Sequence, residues 1–351
     1  MSPRVRRVGA QTVSASSTST AVVPTSTGAA TPGRNGGAAV RLVRRRLMLA
    51  IPQLLIVTSV TFLLVSLSPG DPARAILGLQ APPESVARLR AELRLDQPVW
   101  VQYWHWLVDA LHGDLGASIT SQQPVTDAIA QGLPVTLSLV VGGLLVTSVI
   151  GIGIGVLTAL RGGTAGRLVD GLALVGFALP NFWLASGLVA VFAVTLGMFP
   201  ALGYVSFIES PSGWFMSLVL PVIALAAAGA AVVARQTREA MSGVINSEYV
   251  RMARAHGVRP IALVIRYELR NAAVPVVTVI GTQFVALLVG TLFIEQVFAL
   301  PGLGSLLVDA ALSHDLPVLL GVTVTFTLMV IAVNLLIDVL YLWLNPKVRK
   351  Q

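Results

Sequence analysis

Six stretches of this chain are each long and apolar enough to cross a lipid bilayer as a helix, and this constrains the fold more than any other feature. They run roughly from Leu47 to Leu67, Val135 to Leu160, Leu168 to Leu196, Phe215 to Ala234, Val276 to Ile294 and Pro317 to Leu344. A hydrocarbon core of about 30 Å takes about 20 helical residues, and inside it every backbone N–H and C=O must find a partner within the protein. Helices meet that demand segment by segment. Only 11% of the 351 residues are charged and 55% are hydrophobic, whereas a soluble domain carries about 25% charged residues. The expected class is an all-α membrane protein with six transmembrane helices.

The charges that remain are placed asymmetrically. Of the 24 Lys and Arg residues, all but Arg74, Arg88, Arg90 and Arg94 fall on one side if both termini are cytoplasmic, as the positive-inside bias requires. The four exceptions lie in a long segment between the first two spans, and long segments cross largely regardless of charge. This gives a multi-pass protein of the cytoplasmic membrane with both termini inside. The expected division is a disordered tail over 1–40, a first span over 41–67, an extracytoplasmic helical loop over 68–134, a core of five spans over 135–345 and a short cytoplasmic end over 346–351. The tail is rich in Ser, Thr, Ala and Gly and has too little apolar surface to offset its ordering entropy.

Several chemistries are disfavoured by residue content. Cysteine is absent, which removes disulfides and thiolate sites. His105, His112, His256 and His314 show no ligand spacing, so no metal site is expected. No Gly-Lys pair exists to form a phosphate-binding loop, so the chain by itself is not a P-loop ATPase. The net charge of +8 flanks apolar spans instead of forming a basic face, so nucleic acid is not an expected partner. A membrane-embedded enzyme would need a nucleophile, a metal or an acid pair within the spans, and no catalytic residue is assigned. A secondary transporter would usually place acidic groups at mid-membrane or repeat an inverted half, and neither pattern is visible.

Between the fourth and fifth spans lies "SEYVRMARAHGVRP", residues 247–260, a polar island within the loop 235–275. Ser247 suits an N-cap, Glu248 the positive end of a helix dipole, Gly257 a left-handed C′ position and Pro260 the first turn of a second helix, with Pro275 opening the next span. A helix this short is marginal alone and calls for a docking partner. In the second span, Gly151, Gly153 and Gly155 predict close helix approach, and Pro180 predicts a kink in the third span. In the external loop, Val86, Leu89 and Leu93 are at helical spacing, and Trp100, Tyr103, Trp104, Leu107 and Leu111 form an amphipathic stripe that packs on protein or lies at headgroup level. Polar groups within spans are costly and often line a pathway, which marks Gln283, Asn334 and Asp338 as candidates for the interior of a path through the membrane, with Glu295 at the outer end of the fifth span as a gate or a contact for another protein. For Asp338, pairing with an arginine of the segment 235–275 or capping a neighbouring helix is the favoured alternative.

"EYVRMARAHGVRPIALVIRYELRNAAVPVVTVIG" resembles the ATPase-coupling loop of inner-membrane permeases of ABC importers, in the dipeptide and oligopeptide (DppB/OppB-like) branch. The same branch is matched by "RRRLMLAIPQLLIVTSVTFLLVSLSPGDPA", "LRLDQPVWVQYWHWL", "GDLGASI", "EQVFALPGLGSLLVDA" and "VNLLIDVLYLWLNPKVR", from about residue 42 to the C-terminus. The general importer pattern E-A-A-x-x-x-G, aligned on Gly257, falls on Arg251, Met252 and Ala253, so only its second alanine and its glycine are kept. The resemblance implies a type I ABC importer permease fold and half of a translocation path for dipeptides or oligopeptides; relatives carrying nickel complexes or haem keep those substrates open. It also implies a second homologous permease (DppC/OppC-like), two ABC ATPase subunits that bind ATP and Mg, and an extracytoplasmic substrate-binding protein. The chain itself would hold no cofactor. The ATPase-coupling residues it implies are Glu248, Tyr249, Arg251, Ala253, Arg254, Ala255, His256 and Gly257.

Overall fold

The computed structural model describes residues 35–68, 72–78, 80–92, 95–164, 166–168, 170–171 and 179–344. The end over 346–351, expected to be cytoplasmic, and most of the expected N-terminal tail lie outside these residues. Helices dominate, and the one β-type pairing among the described residues is an isolated antiparallel bridge between Ala117 and Pro124.

Helix α1 spans Asn35–Leu67, so the last residues of the expected disordered tail are helical. The segment between the first two spans holds α2 (Pro72–Leu77), α3 (Pro83–Glu92) and α4 (Val99–Leu111). Helix α5 spans Val125–Arg161 with Pro134 inside it, so the external loop ends about ten residues earlier than the sequence suggested. Helix α6 (Asn181–Thr195) begins in α geometry and finishes as a π-helix. Helices α7 (Pro211–Ile245), α8 (Glu248–Ala255), α9 (Pro260–Val297), α10 (Leu303–Ser313) and α11 (Leu316–Leu344) complete the chain.

Among the described residues, five helices are long and apolar enough to cross a membrane: α1 over Val43–Leu67, α5, α7, α9 and α11 over Leu316–Tyr341. The third expected span falls partly outside the described residues, and its described part is α6. Pro180 does not kink that helix. It stands at the N-cap in extended backbone (φ −61°, ψ 137°), where its missing N–H costs nothing because the first helical donors have no partner anyway.

One core cluster joins α5, α6, α7 and α9 through Leu139, Val140, Ala185, Leu220, Leu225, Phe284 and Leu288. A second cluster, Val125, Leu303, Ala310, Val318 and Val322, joins α5, α10 and α11. Towards the other end, α5 and α7 meet through glycine. A Cβ at Gly155 would lie 2.5 Å from the Thr237 Cβ and 2.6 Å from the Ala234 carbonyl oxygen, and one at Gly151 would lie 2.7 Å from the Val233 Cβ. Gly153, expected in the same contact, faces open space, because two positions turn a helix by about 200°, whereas residues three or four apart share a face. The Gly155→Leu variant is therefore expected to lose about 1–3 kcal/mol through overpacking, while Gly153→Leu unfolds like the parent; thermal unfolding in detergent checks both.

Candidate functional site

Two constellations stand out, one at each end of the core. The first is the polar segment around α8. Helix α7 does not stop at Ala234, the end of its apolar stretch, but runs on to Ile245. Helix α9 starts at Pro260, passes through a π-helical section over Leu263–Leu269, and continues to Val297 with Pro275 in its interior. Pro275 thus opens no new span. The coupling loop is two long helices with α8 set between them.

The start and stop of α8 have separate causes. Ser247 occupies the N-cap in extended backbone (φ −70°, ψ 151°) without a side-chain cap bond; its hydroxyl donates back to the Val244 carbonyl at 2.6 Å. The expected cap position is right and its chemistry differs. At the other end, Gly257 has φ +76°, its N–H reaches the Arg254 carbonyl at 3.1 Å, and the Val258 N–H reaches the Ala253 carbonyl at 3.3 Å. This double closure with a left-handed glycine satisfies two of the last carbonyls of the helix. His256 adds a bond from Nδ1 to the Met252 carbonyl at 2.8 Å.

One face of α8 is fastened to the protein and the other is free. Val250 is fully buried, Ala253 is half-buried, and Arg254 Nη2 lies 3.7 Å from Oε1 of Glu268, a carboxylate buried in the π-section of α9. Glu248, Tyr249, Arg251, Met252, Ala255, His256 and Gly257 are exposed. Of the eight residues expected to couple, Ala253 and Arg254 lean towards α9 and six face outward. Met252, 63% exposed, joins the outward face and was missed because it reads as a core residue.

The second constellation lies at the opposite end. Glu295 is fully buried. Its Oε1 accepts from the Thr136 hydroxyl of α5 at 2.7 Å and its Oε2 from the Ser305 N–H at 2.9 Å, with Gly304 a further backbone donor. Thr136 Oγ1 in turn accepts from the Leu303 N–H at 2.8 Å. Gly302 at the N-cap of α10 has no side chain, so a carboxylate from α9 and a hydroxyl from α5 take up the free amides of that helix, where its dipole also favours negative charge. A Cβ at Gly302 would sit 2.3 Å from the Glu295 carboxyl carbon. Fully buried, Glu295 presents no surface to a partner here.

Close by, Asp315 at the start of α11 is buried and accepts from the Ser118 hydroxyl at 2.6 Å, the Thr120 hydroxyl at 3.2 Å and the Val318 N–H at 3.4 Å. It pins the 117–124 hairpin to the helix it caps. The sequence signal for it was Asp followed by Leu-Pro-Val, an N-cap pattern.

The remaining path candidates are not brought together. Asp338 pairs with Arg46 of α1, not with an arginine of the coupling region. Gln283 faces α7, where its Oε1 would lie 2.9 Å from a Cβ at Gly229. Asn334 is half-buried on α11.

The chain matches the family described as "Binding-protein-dependent transport system inner membrane component" over residues 151–350, and that family's N-terminal model over residues 39–140. It belongs to this family of multi-pass transport permeases. Among curated proteins, it is 47% identical over 309 residues to a Brucella abortus protein named as a peptide transport system permease, covering 88% of this chain and 98% of that one. It is 41% identical over 308 residues to the glutathione transport system permease protein GsiC of Salmonella typhimurium, again covering 88% of this chain and 98% of the relative. Among solved structures, the inward facing MetNI methionine ABC transporter superposes with a TM-score of 0.49 at 18% identity, covering 63% of this chain and 97% of that one.

Proposed function

We propose that this chain is one of two permease subunits of an ATP-driven importer of dipeptides or oligopeptides, with α8 as the surface on which an ATPase subunit docks. The observation that carries the coupling role is the form of α8: a capped helix of 8 residues, fixed on one side through Val250 and Arg254 and exposed on the other, set between two membrane helices. A displacement applied to its free face passes to α7 and α9 without a flexible link, and alternating access needs such a transfer. The names of the relatives, peptide and glutathione permeases, support peptides as the substrate class. The assembly would contain a second homologous permease, two ATPase subunits that bind ATP and Mg, and an extracytoplasmic binding protein, with both termini of this chain cytoplasmic. The chain itself would be non-catalytic.

The test is reconstitution of the chain with its co-purifying partners in proteoliposomes, followed by ATP hydrolysis and uptake across a panel of peptides. ATP-dependent uptake of peptides that also stimulate hydrolysis supports the reading. Uptake that needs no ATPase and follows an ion gradient overturns it.

A further inference from the structure

Helix α4 divides into three faces, and only two of them have an evident neighbour. On the first, the Tyr103 hydroxyl lies 2.9 Å from the buried Thr58 hydroxyl of α1, and the Tyr103 ring meets Phe62 edge-on at 5.5 Å and stacks beside Trp106 at 6.1 Å. Since Thr58 donates to the Leu54 carbonyl at 2.8 Å, it accepts from Tyr103. On the second, Gln102, His105 and Asp109 line a cavity of about 610 Å³ beside the 117–122 hairpin and His314. The third carries Trp100, Trp104 and Leu111, which are 74%, 62% and 79% exposed. At about 100° per residue these three lie within about 40° of one another, roughly opposite the polar face.

The level of this third face relative to the bilayer can be read from α1. Thr58 lies about 13 Å along the axis from Leu67, the end of a stretch somewhat longer than the ~30 Å hydrocarbon core. Tyr103 reaches down to that point, so the axis of α4 rides near the edge of the hydrocarbon. Amphipathic helices at a membrane surface carry their apolar face at that level, about 5–10 Å into the headgroup and acyl boundary, and tryptophan concentrates there. Helix α1 itself exposes Ile56, Val60, Leu63, Leu64 and Leu67, so α4 is docked on a helix that already faces lipid.

We infer that α4 is an interfacial anchor whose Trp100, Trp104 and Leu111 face is covered by the headgroup and upper acyl region of glycerophospholipids. This gives the external segment a fixed height and tilt above the bilayer, with its polar face turned to water. The inference rests on α1 crossing the membrane and not on the coupling role of α8; the orientation proposed above decides only that the leaflet is the outer one.

The absence of cysteine makes a direct test available. Nitroxide labels are placed singly through Trp100→Cys, Trp104→Cys and Leu111→Cys, with Asp109→Cys as the polar-face control, in the assembled complex in phospholipid nanodiscs. Collision with oxygen, which partitions into lipid, is compared with collision with a water-soluble nickel chelate. At 100, 104 and 111 oxygen access is expected to exceed nickel access several times, and at 109 the order is expected to reverse. Equal nickel access on both faces would mean water, and shielding from both reagents would mean a protein cover; either overturns the inference. If a tryptophan variant does not assemble, Leu111→Cys and quenching of the native tryptophans by lipids brominated near the carbonyl give the same reading. Because nanodiscs expose both leaflets, a wrong orientation leaves this result unchanged.

Discussion

The Gly257→Val variant is expected to insert normally and to lose uptake by about tenfold or more while ATP hydrolysis persists, which uptake and hydrolysis assays on the same proteoliposomes would measure. No neighbour lies within 4 Å of a Cβ built at Gly257, so the change meets no clash; the penalty comes from the backbone at φ +76°. A left-handed conformation costs an ordinary residue about 1–2 kcal/mol and a β-branched one more. That is enough to shift the ending of so short a helix, whose stability comes from its closures and not from its length, and about 1.4 kcal/mol is already a factor of ten. Asn tolerates the left-handed region, so Gly257→Asn should retain most uptake. If valine were as active as glycine, α8 would not need its present exit angle and the coupling role would fall.

Glu295→Leu is expected to destabilise the outer corner strongly, by about 3 kcal/mol, because it leaves the Ser305 N–H and the Thr136 hydroxyl buried without their acceptor at about 1–3 kcal/mol each. Gly302→Val should do comparable damage by a different route, since its Cβ would occupy the space of the carboxylate. Thr136→Val removes one bond from each side and should cost less. Unfolding in graded denaturing detergent would rank the three. A Glu295→Leu protein as stable as the parent would show that the carboxylate is not what holds α10.

Much of this architecture was legible in local patterns. Apolar length located five of the six expected spans, the third lying partly outside the described residues, and the run from Ser247 to Pro260 gave α8 its ends to within a residue, because capping chemistry acts within one turn. Prolines misled at three places: Pro180 reads as a kink yet stands at the N-cap of α6. Pro134 and Pro275 read as boundaries yet lie inside helices α5 and α9, since a proline removes one donor from a ladder that long neighbouring helices hold in place. What local pattern could not supply were partners far apart in the chain. Thr136 and Glu295 are 159 positions apart and Ser118 and Asp315 are 197 apart. Neither Thr136 nor Ser118 is unusual as a single letter. Asp338 carried a legible demand for a cation, but only the packing of α1 beside α11 identified that cation as Arg46. Glycine at 153 was indistinguishable by type from those at 151 and 155; the helical period, applied residue by residue, would have separated them.

The outer corner also bears on how the chain is made. When synthesis reaches Glu295, α5 with Thr136 has already been produced, and the amide donors of α10 follow only ten residues later. A buried acid within a membrane span is costly unless its oxygens are bonded, so α9 gains by settling beside α5 as soon as α10 turns back to close the site. Helices α9 and α10 thus meet a partner already made, and the order of translation matches the order in which the carboxylate's bonds become available.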